Sequence, residues 1–205
     1  MTAAGQLALI GLKPADIQWL VMTHTDIDHV GGIADFPQAV MVIGQAERAL
    51  DSPRYFADRS PVSWPADVTY QLIREVTDLC PGVTFFPAPG HAPGQLSLLI
   101  RLPRTGAVLL TGDAVSRPAE IDEGFPTAWN PPLALESAKR IMDIARSEEA
   151  MIIYGHNPEQ WNTLKKVPAP VTIAIRSIGF LYINHSNGQG ISFLIYCPSW
   201  KSEKK

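Results

Sequence analysis

Four short apolar runs in this chain each end in a histidine or an aspartate standing beside glycine. Trp19 to Met22 leads into Thr23-His24-Thr25-Asp26-Ile27-Asp28-His29-Val30-Gly31-Gly32, and Val83 to Phe86 leads into Pro89-Gly90-His91-Ala92-Pro93-Gly94. Ala107 to Leu110 ends in Thr111-Gly112-Asp113-Ala114, and Ala150 to Tyr154 in Gly155-His156-Asn157. Runs of this length and composition read as strands. The pattern therefore asks for a fold that places polar groups just beyond the C-terminal ends of several strands, where loops on a rigid scaffold carry function. Imidazole nitrogen and carboxylate oxygen are both good ligands for zinc, and Gly31-Gly32 lets the backbone turn tightly beneath an ion. A single His–Asp pair in a loop would read as a turn former or helix cap. Four such placements in one chain point instead to a metal site. Four of the five histidines occupy them; the fifth, His185, lies in the polar stretch Asn184 to Gly190 and reads as a solvated loop residue.

This order and spacing resemble the metallo-β-lactamase superfamily, whose signature is His-x-His-x-Asp-His followed by a lone His, a bridging Asp and a final His. Within it the chain is most similar to the N-acyl-homoserine lactonases, from about Gly11 to about Pro168. The specific parts are Pro89-Gly90-His91-Ala92-Pro93-Gly94-Gln95-Leu96-Ser97-Leu98, Thr111-Gly112-Asp113-Ala114 and Gly155-His156-Asn157-Pro158-Glu159-Gln160. The resemblance implies an α/β fold, the αββα sandwich, in an N-terminally shortened form. It implies two zinc ions, one held by His24 and His91, the other by Asp28, His29 and His156, with Asp113 bridging. It also implies a reaction: hydroxide activated by the metal pair opens a lactone ring, that of an N-acyl-homoserine lactone (quorum quenching), and Asp28 passes a proton to the departing alkoxide. Two alternatives stand beside it, since fold alone does not choose a chemistry. One is thioester hydrolysis of the glyoxalase II kind. The other is a catalytically silent remnant that binds at most a metal or a small ligand.

Two positions depart from the family pattern. Where the family has its second histidine, this chain has Asp26. As a ligand, Asp26 brings a shorter reach and a negative charge, which weakens the Lewis acid and makes bound water less acidic; the harder donor set also suits manganese or iron. As a cap of the following turn, it would leave the first site weak or empty. The second departure is Ser116, three residues after Asp113, where close lactonase relatives place a tyrosine that hydrogen-bonds the substrate carbonyl. Serine lacks that reach, so the role is not carried over; a water, Trp129 or Tyr55 are the open substitutes.

Length and charge fit a single-domain enzyme. A chain of 205 residues can bury one substantial core. A net charge of −3 without a basic cluster argues against a nucleic-acid partner. No run reaches the ~20 apolar residues of a membrane span, and Met1 to Ile10 lacks the basic start of a signal peptide. Cys80 and Cys197, far apart, read as free thiols in a reducing compartment. The expectation is a cytoplasmic enzyme with a small-molecule lactone substrate and no membrane or nucleic-acid partner, with homodimerisation left open.

Along the chain, Lys13 to Ile17 predicts a short helix with proline in its first turn, Ala39 to Ile43 a strand and Gln45 to Leu50 a helix. Ser52 to Asp67, with Pro53, Pro61 and Pro65 among Tyr55, Phe56 and Trp64, reads as irregular. Leu133, Ala134, Ala138, Ile141, Ile144 and Ala145 recur at helical spacing and predict a helix over Leu133 to Arg146 packed on a sheet. Residues 1–168 are expected to form the hydrolase domain without the family's usual N-terminal strands, which would leave one sheet edge uncovered. Residues 169–205 are an atypical tail, in which Val171 to Ile183 and Gly190 to Cys197 could pair as a β-hairpin and patch that edge, or form an unrelated terminus.

Overall fold

Alternation of apolar side chains along the strands decides how this chain is layered. The computed structural model describes residues 3–30, 33–53, 64, 66–103, 105–164, 179–185 and 189–196, the last two segments by their backbone. In chain order, helix α1 (Ala3–Leu9) and a 3-10 turn (Pro14–Asp16) precede strand β1 (Trp19–Met22), short helix α2 (Ile27–Val30), β2 (Val40–Gly44) and α3 (Gln45–Arg48). Then come β3 (Tyr70–Ile73), β4 (Thr77–Cys80), β5 (Val83–Pro87), β6 (Leu96–Leu102) and β7 (Gly106–Leu110). After a 3-10 turn (Gly112–Val115) follow α4 (Glu120–Glu123), α5 (Pro131–Ser147), β8 (Met151–Ile153), α6 (Pro158–Thr163), β9 (Gly179–His185) and β10 (Gln189–Tyr196).

These strands form two sheets, ordered β3-β2-β1-β10-β9 and β4-β5-β6-β7-β8. Successive side chains on a strand face opposite sides, so each sheet is apolar on both. Trp19, Val21 and Val42 from the first sheet meet Val83, Phe85, Leu96, Leu98, Ile100, Val108 and Leu110 from the second in the central core. On the outer side of the first sheet, Leu20 packs with Ala3 and Leu7 of α1 and with Phe36. On the outer side of the second, Phe86, Leu99 and Leu109 pack with Ile141 and Ala145 of α5. The result is the αββα arrangement. Each fully buried Leu, Ile or Phe side chain contributes ~1.5–3 kcal/mol through water exclusion.

Helix α5 starts two residues earlier than periodicity predicts because Asn130 caps it, its side chain accepting from Leu133 N, and prolines occupy the first turn. The expected helix at Lys13 to Ile17 is a 3-10 turn closed by Lys13 N donating to Asp16. Much of the Ser52 to Asp67 segment lies outside the described residues, but Trp64 donates to Leu50 O at 2.8 Å and lies under the Arg48 guanidinium.

The far side of β1 is not an open edge. β10 pairs with it antiparallel, Leu20 opposite Leu194, and β9 pairs with β10 in turn. His185, expected in a polar loop, is instead the last residue of β9, in register with Gln189; ladder pairing extends the strand farther than its polar composition suggests. Residues 171–178 and Cys197 lie outside the described set. Cys80 is buried. Among the described residues no helix is long and apolar enough to cross a membrane.

Candidate metal centre

The loops after β1, β5, β7 and β8 converge. The two sheets are tied there by a backbone bond, Leu96 N to Thr23 O at 2.9 Å, and the loop after β8 is tied to the one after β7 by His156 N to Ser116 O at 2.8 Å. Glycine beside the ligand-type residues has a steric cause. A Cβ on Gly155 would stand 2.6 Å from Asp113 Oδ1 and 2.5 Å from Gly112 O. On Gly90, whose φ is +141°, it would stand 2.3 Å from the Ala134 backbone. The His91 loop is also fixed to the start of α5, through Trp129 N to His91 O, Asn130 N to Gly90 O and the Ser137 hydroxyl to Pro89 O.

All seven residues expected to hold metal lie together, in two groups around Asp113. His24, Asp26 and His91 form the first: Asp26 Oδ2 is 3.7 Å from His24 Nε2 and 3.2 Å from His91 Nε2. Asp28, His29 and His156 form the second, with Asp28 Oδ2 3.4 Å from His29 Nε2 and 3.5 Å from His156 Nε2. Asp113 Oδ2 faces all four imidazoles, at 3.1 Å from His156, 3.5 Å from His29, 3.6 Å from His91 and 3.9 Å from His24. Two donors each bound ~2.0–2.1 Å from a tetrahedral ion stand ~3.3 Å apart, which is the scale of these separations. His24, His29 and Asp113 are buried, and Asp113 Oδ1 has no hydrogen-bond partner among the described residues. Thr23 Oγ1 sits 3.1 Å from His24 Nδ1, which turns Nε2 toward the group. The donor set is therefore of the kind and spacing that divalent metal requires.

The electrostatics agree. Burial opposes charge on His29, yet the Asp113 and Asp28 carboxylates outweigh it and push its pKa up to about 10. His156 is raised chiefly by its hydrogen bond with Asp113. Burial would raise Asp113, but His29, His156 and His24 hold it well below the usual carboxylate range. Asp28 is lowered in the same way, burial being overcome by His29 and His156. The pocket has a strong affinity for positive charge.

Residues considered as substitutes for a substrate-binding tyrosine fall differently. Ser116 is committed through its backbone, its N–H donating to Glu120 at 2.6 Å and its carbonyl accepting from His156. Trp129 is 55% exposed beside the His91 loop. Tyr55 lies outside the described residues. Glu47, which sequence reasoning passed over, is fully buried and accepts from Thr25 N, Thr25 Oγ1 and Gly94 N at 2.9, 2.6 and 3.0 Å. A lone acid in a short helix looks solvated, and only its place just after β2, at the ligand-bearing end of the sheet, hinted otherwise.

Comparison with known proteins gives consistent likenesses. The family model of the metallo-beta-lactamase superfamily matches residues 1–156. An N-acyl homoserine lactonase of Bacillus cereus is 31% identical over 163 residues, which span 79% of this chain and 64% of that protein. The N-acyl homoserine lactonase AttM of Azorhizobium caulinodans is 31% identical over 182 residues, 80% of this chain and 66% of the relative. A solved N-acyl homoserine lactone hydrolase, with the product N-hexanoyl-L-homoserine bound at the catalytic metal center, superposes with a TM-score of 0.71 at 27% identity, over 80% of this chain and 66% of that one. The chain thus spans less than two thirds of the length of the curated relatives it matches.

Proposed function

Because the chain belongs to the metallo-beta-lactamase superfamily, we propose that it is a metal-dependent hydrolase that opens the ring of an N-acyl homoserine lactone. The observation that carries this reading is the position of Asp113 Oδ2, within 3.1–3.9 Å of four imidazole nitrogens contributed by three different loops. Its support for the substrate class comes from the relatives, several of them named N-acyl homoserine lactonases.

In this reading His24, Asp26 and His91 would hold one ion and Asp28, His29 and His156 the other, with Asp113 between the two groups. Divalent ions held there would supply Lewis acidity toward a carbonyl oxygen and would bring the pKa of water from ~15.7 toward ~7; each group offers two imidazoles and one carboxylate, a set that suits zinc, and Asp26 in place of a histidine also opens the first group to manganese or iron. Asp28 is ionised at neutral pH because His29 and His156 stabilise its charge. It must therefore take up the proton lost by the attacking water before it can return that proton to the ring oxygen as the C–O bond breaks. Trp129 offers an exposed indole next to the His91 loop for the apolar acyl chain. Residues 1–168 carry the site in this account, and the 169–205 segment contributes β9 and β10 to the first sheet.

The test is ring opening of N-hexanoyl homoserine lactone, followed by proton release in weak buffer, with zinc, manganese and iron quantified in the same preparation. Metal-dependent release, lost on chelation and restored by added metal, is the expected result. Bound metal without turnover of any lactone would leave a metal-binding fold and remove the lactonase reading.

A further inference from the structure

Glu47 is a carboxylate with no exposed surface, in a helix of four residues, α3. Burying a charge is costly unless hydrogen bonds replace its water, and here they come from two different loops. Oε1 accepts from Thr25 N at 2.9 Å and from Thr25 Oγ1 at 2.6 Å, while Oε2 accepts from Gly94 N at 3.0 Å. Thr25 lies between His24 and Asp26 in sequence. Gly94 closes the turn that begins at His91, in which Gly90 N and Gln95 N both donate to Ala92 O. One carboxylate thus grips the two loops that supply His24, Asp26 and His91, whereas its hydrogen bonds do not reach the loop of His156.

Packing shows how tightly the grip is drawn. A Cβ on Gly44 would stand 2.1 Å from Gly94 O, and a Cβ on Gly94 would stand 2.2 Å from Glu47 N. The His91 loop therefore lies directly against the start of α3, with no room for a side chain between them. An apolar residue at 47 would remove the carboxylate acceptor of two buried N–H groups. Glutamine keeps the shape but has one acceptor oxygen, so it can satisfy Thr25 or Gly94 and not both. Only a carboxylate accepts on both sides.

Resting on the two-metal reading above, we infer that Glu47 is a positioning residue that sets the affinity of the His24–Asp26–His91 site by clamping its two loops in register. Residues that orient metal ligands typically change metal affinity 10–100-fold when removed. Here the effect falls chiefly on one of two sites in the same centre, because both loops of the first group are gripped and only one of the second.

The experiment is a zinc titration against a chromophoric chelator, resolved into two steps, on the full chain. His91→Ala and His156→Ala assign the steps, each removing a ligand from one group. Glu47→Gln is expected to weaken the His24–Asp26–His91 step about tenfold or more and the Asp28–His29–His156 step clearly less, since only one of the two loops that supply the latter is gripped. The kcat/KM for lactone opening should fall alongside and recover at saturating zinc. Thr25→Val, which removes one of the three bonds, gives a smaller loss in the same step and serves if Glu47→Gln does not fold. Ile141→Val, in the α5 core, controls for general destabilisation. Equal weakening of both steps, or a change no larger than that of Ile141→Val, overturns the inference, as does a wild-type chain that binds no zinc. A site-selective loss without any lactone opening upholds Glu47's role while removing the lactonase reading.

Discussion

Asp113 Oδ2 lies 3.5 Å from His29 Nε2, and both side chains are buried. The pair stores a proton where a ligand must present a lone pair. His29 has a pKa pushed up to about 10 from an ordinary 6.5, so in the metal-free protein it is protonated throughout the neutral range. Metal binding must displace that proton. Calorimetry of zinc binding at pH 7.5 in buffers of different ionisation enthalpy should register release of about one proton or more per chain, with affinity rising as pH climbs toward 10. Heats that do not depend on the buffer would contradict this. The sign for folding follows: a raised histidine pKa stabilises the metal-free fold fully below pH 6.5 and loses that contribution as pH rises through about 10.

Asp113→Ala should be more damaging than His156→Ala. The aspartate faces all four imidazoles, whereas His156 belongs to the Asp28–His29 group alone. Elemental analysis is expected to find Asp113→Ala nearly free of metal and His156→Ala retaining the ion of the other group. Lactone opening should fall more than ~100-fold in both, since loss of a supporting residue alone costs 10–100-fold. Equal metal content in wild type and Asp113→Ala would count against the bridging role.

Asp26→His tests the residue that separates this chain from the family signature. Its Oδ2 lies 3.2 Å from His91 Nε2, on the first group. Exchanging an anion for a neutral imidazole makes the ion a stronger Lewis acid. The acidic limb of kcat/KM against pH should move down, and zinc occupancy should rise. A profile and a metal content both unchanged would place Asp26 outside the ligand shell and favour a capping role.

The residues that the structure gathers into the candidate centre were legible as a set because chemistry and position coincided: His24, Asp28, His29, His91, Asp113 and His156 each follow an apolar run beside or near glycine. The strands themselves were legible for the same reason, β1 reading as Trp19–Met22 in sequence and structure alike. What sequence could not reveal was long-range. Glu47 acts through Thr25 and Gly94, far away in the chain, and no periodicity marks it. Strands β3, β4 and β6 went unread: Gln71, Leu72 and Asp78 break simple alternation, Leu96 to Leu102 follows the His91 loop without a break, and pairing with β2, β5 and β7 decides them instead. His185 was misread because polar composition outweighed a ladder partner that only the folded sheet supplies.

Gly90→Ala should destabilise the fold by ~1–3 kcal/mol. Its φ of +141° is closed to alanine, and the added methyl would meet the Ala134 backbone at 2.3 Å. Chemical denaturation should show the lower midpoint, with an unchanged slope. A midpoint equal to wild type would mean that the His91 loop can slide along α5.

The pairing of Trp19 with Ile195 has a consequence in time as well as in space. β1, which leads directly into the first ligands, is flanked on one side by β2, close behind it in sequence, and on the other by β10, from the far end of the chain. During synthesis β1 and its loop emerge long before β10, and closing so long a loop carries an entropic cost that slows folding. The nascent chain therefore carries its β1 loop while the sheet beneath it still lacks two strands, an interval in which the unpaired edge of β1 is open to edge-to-edge association.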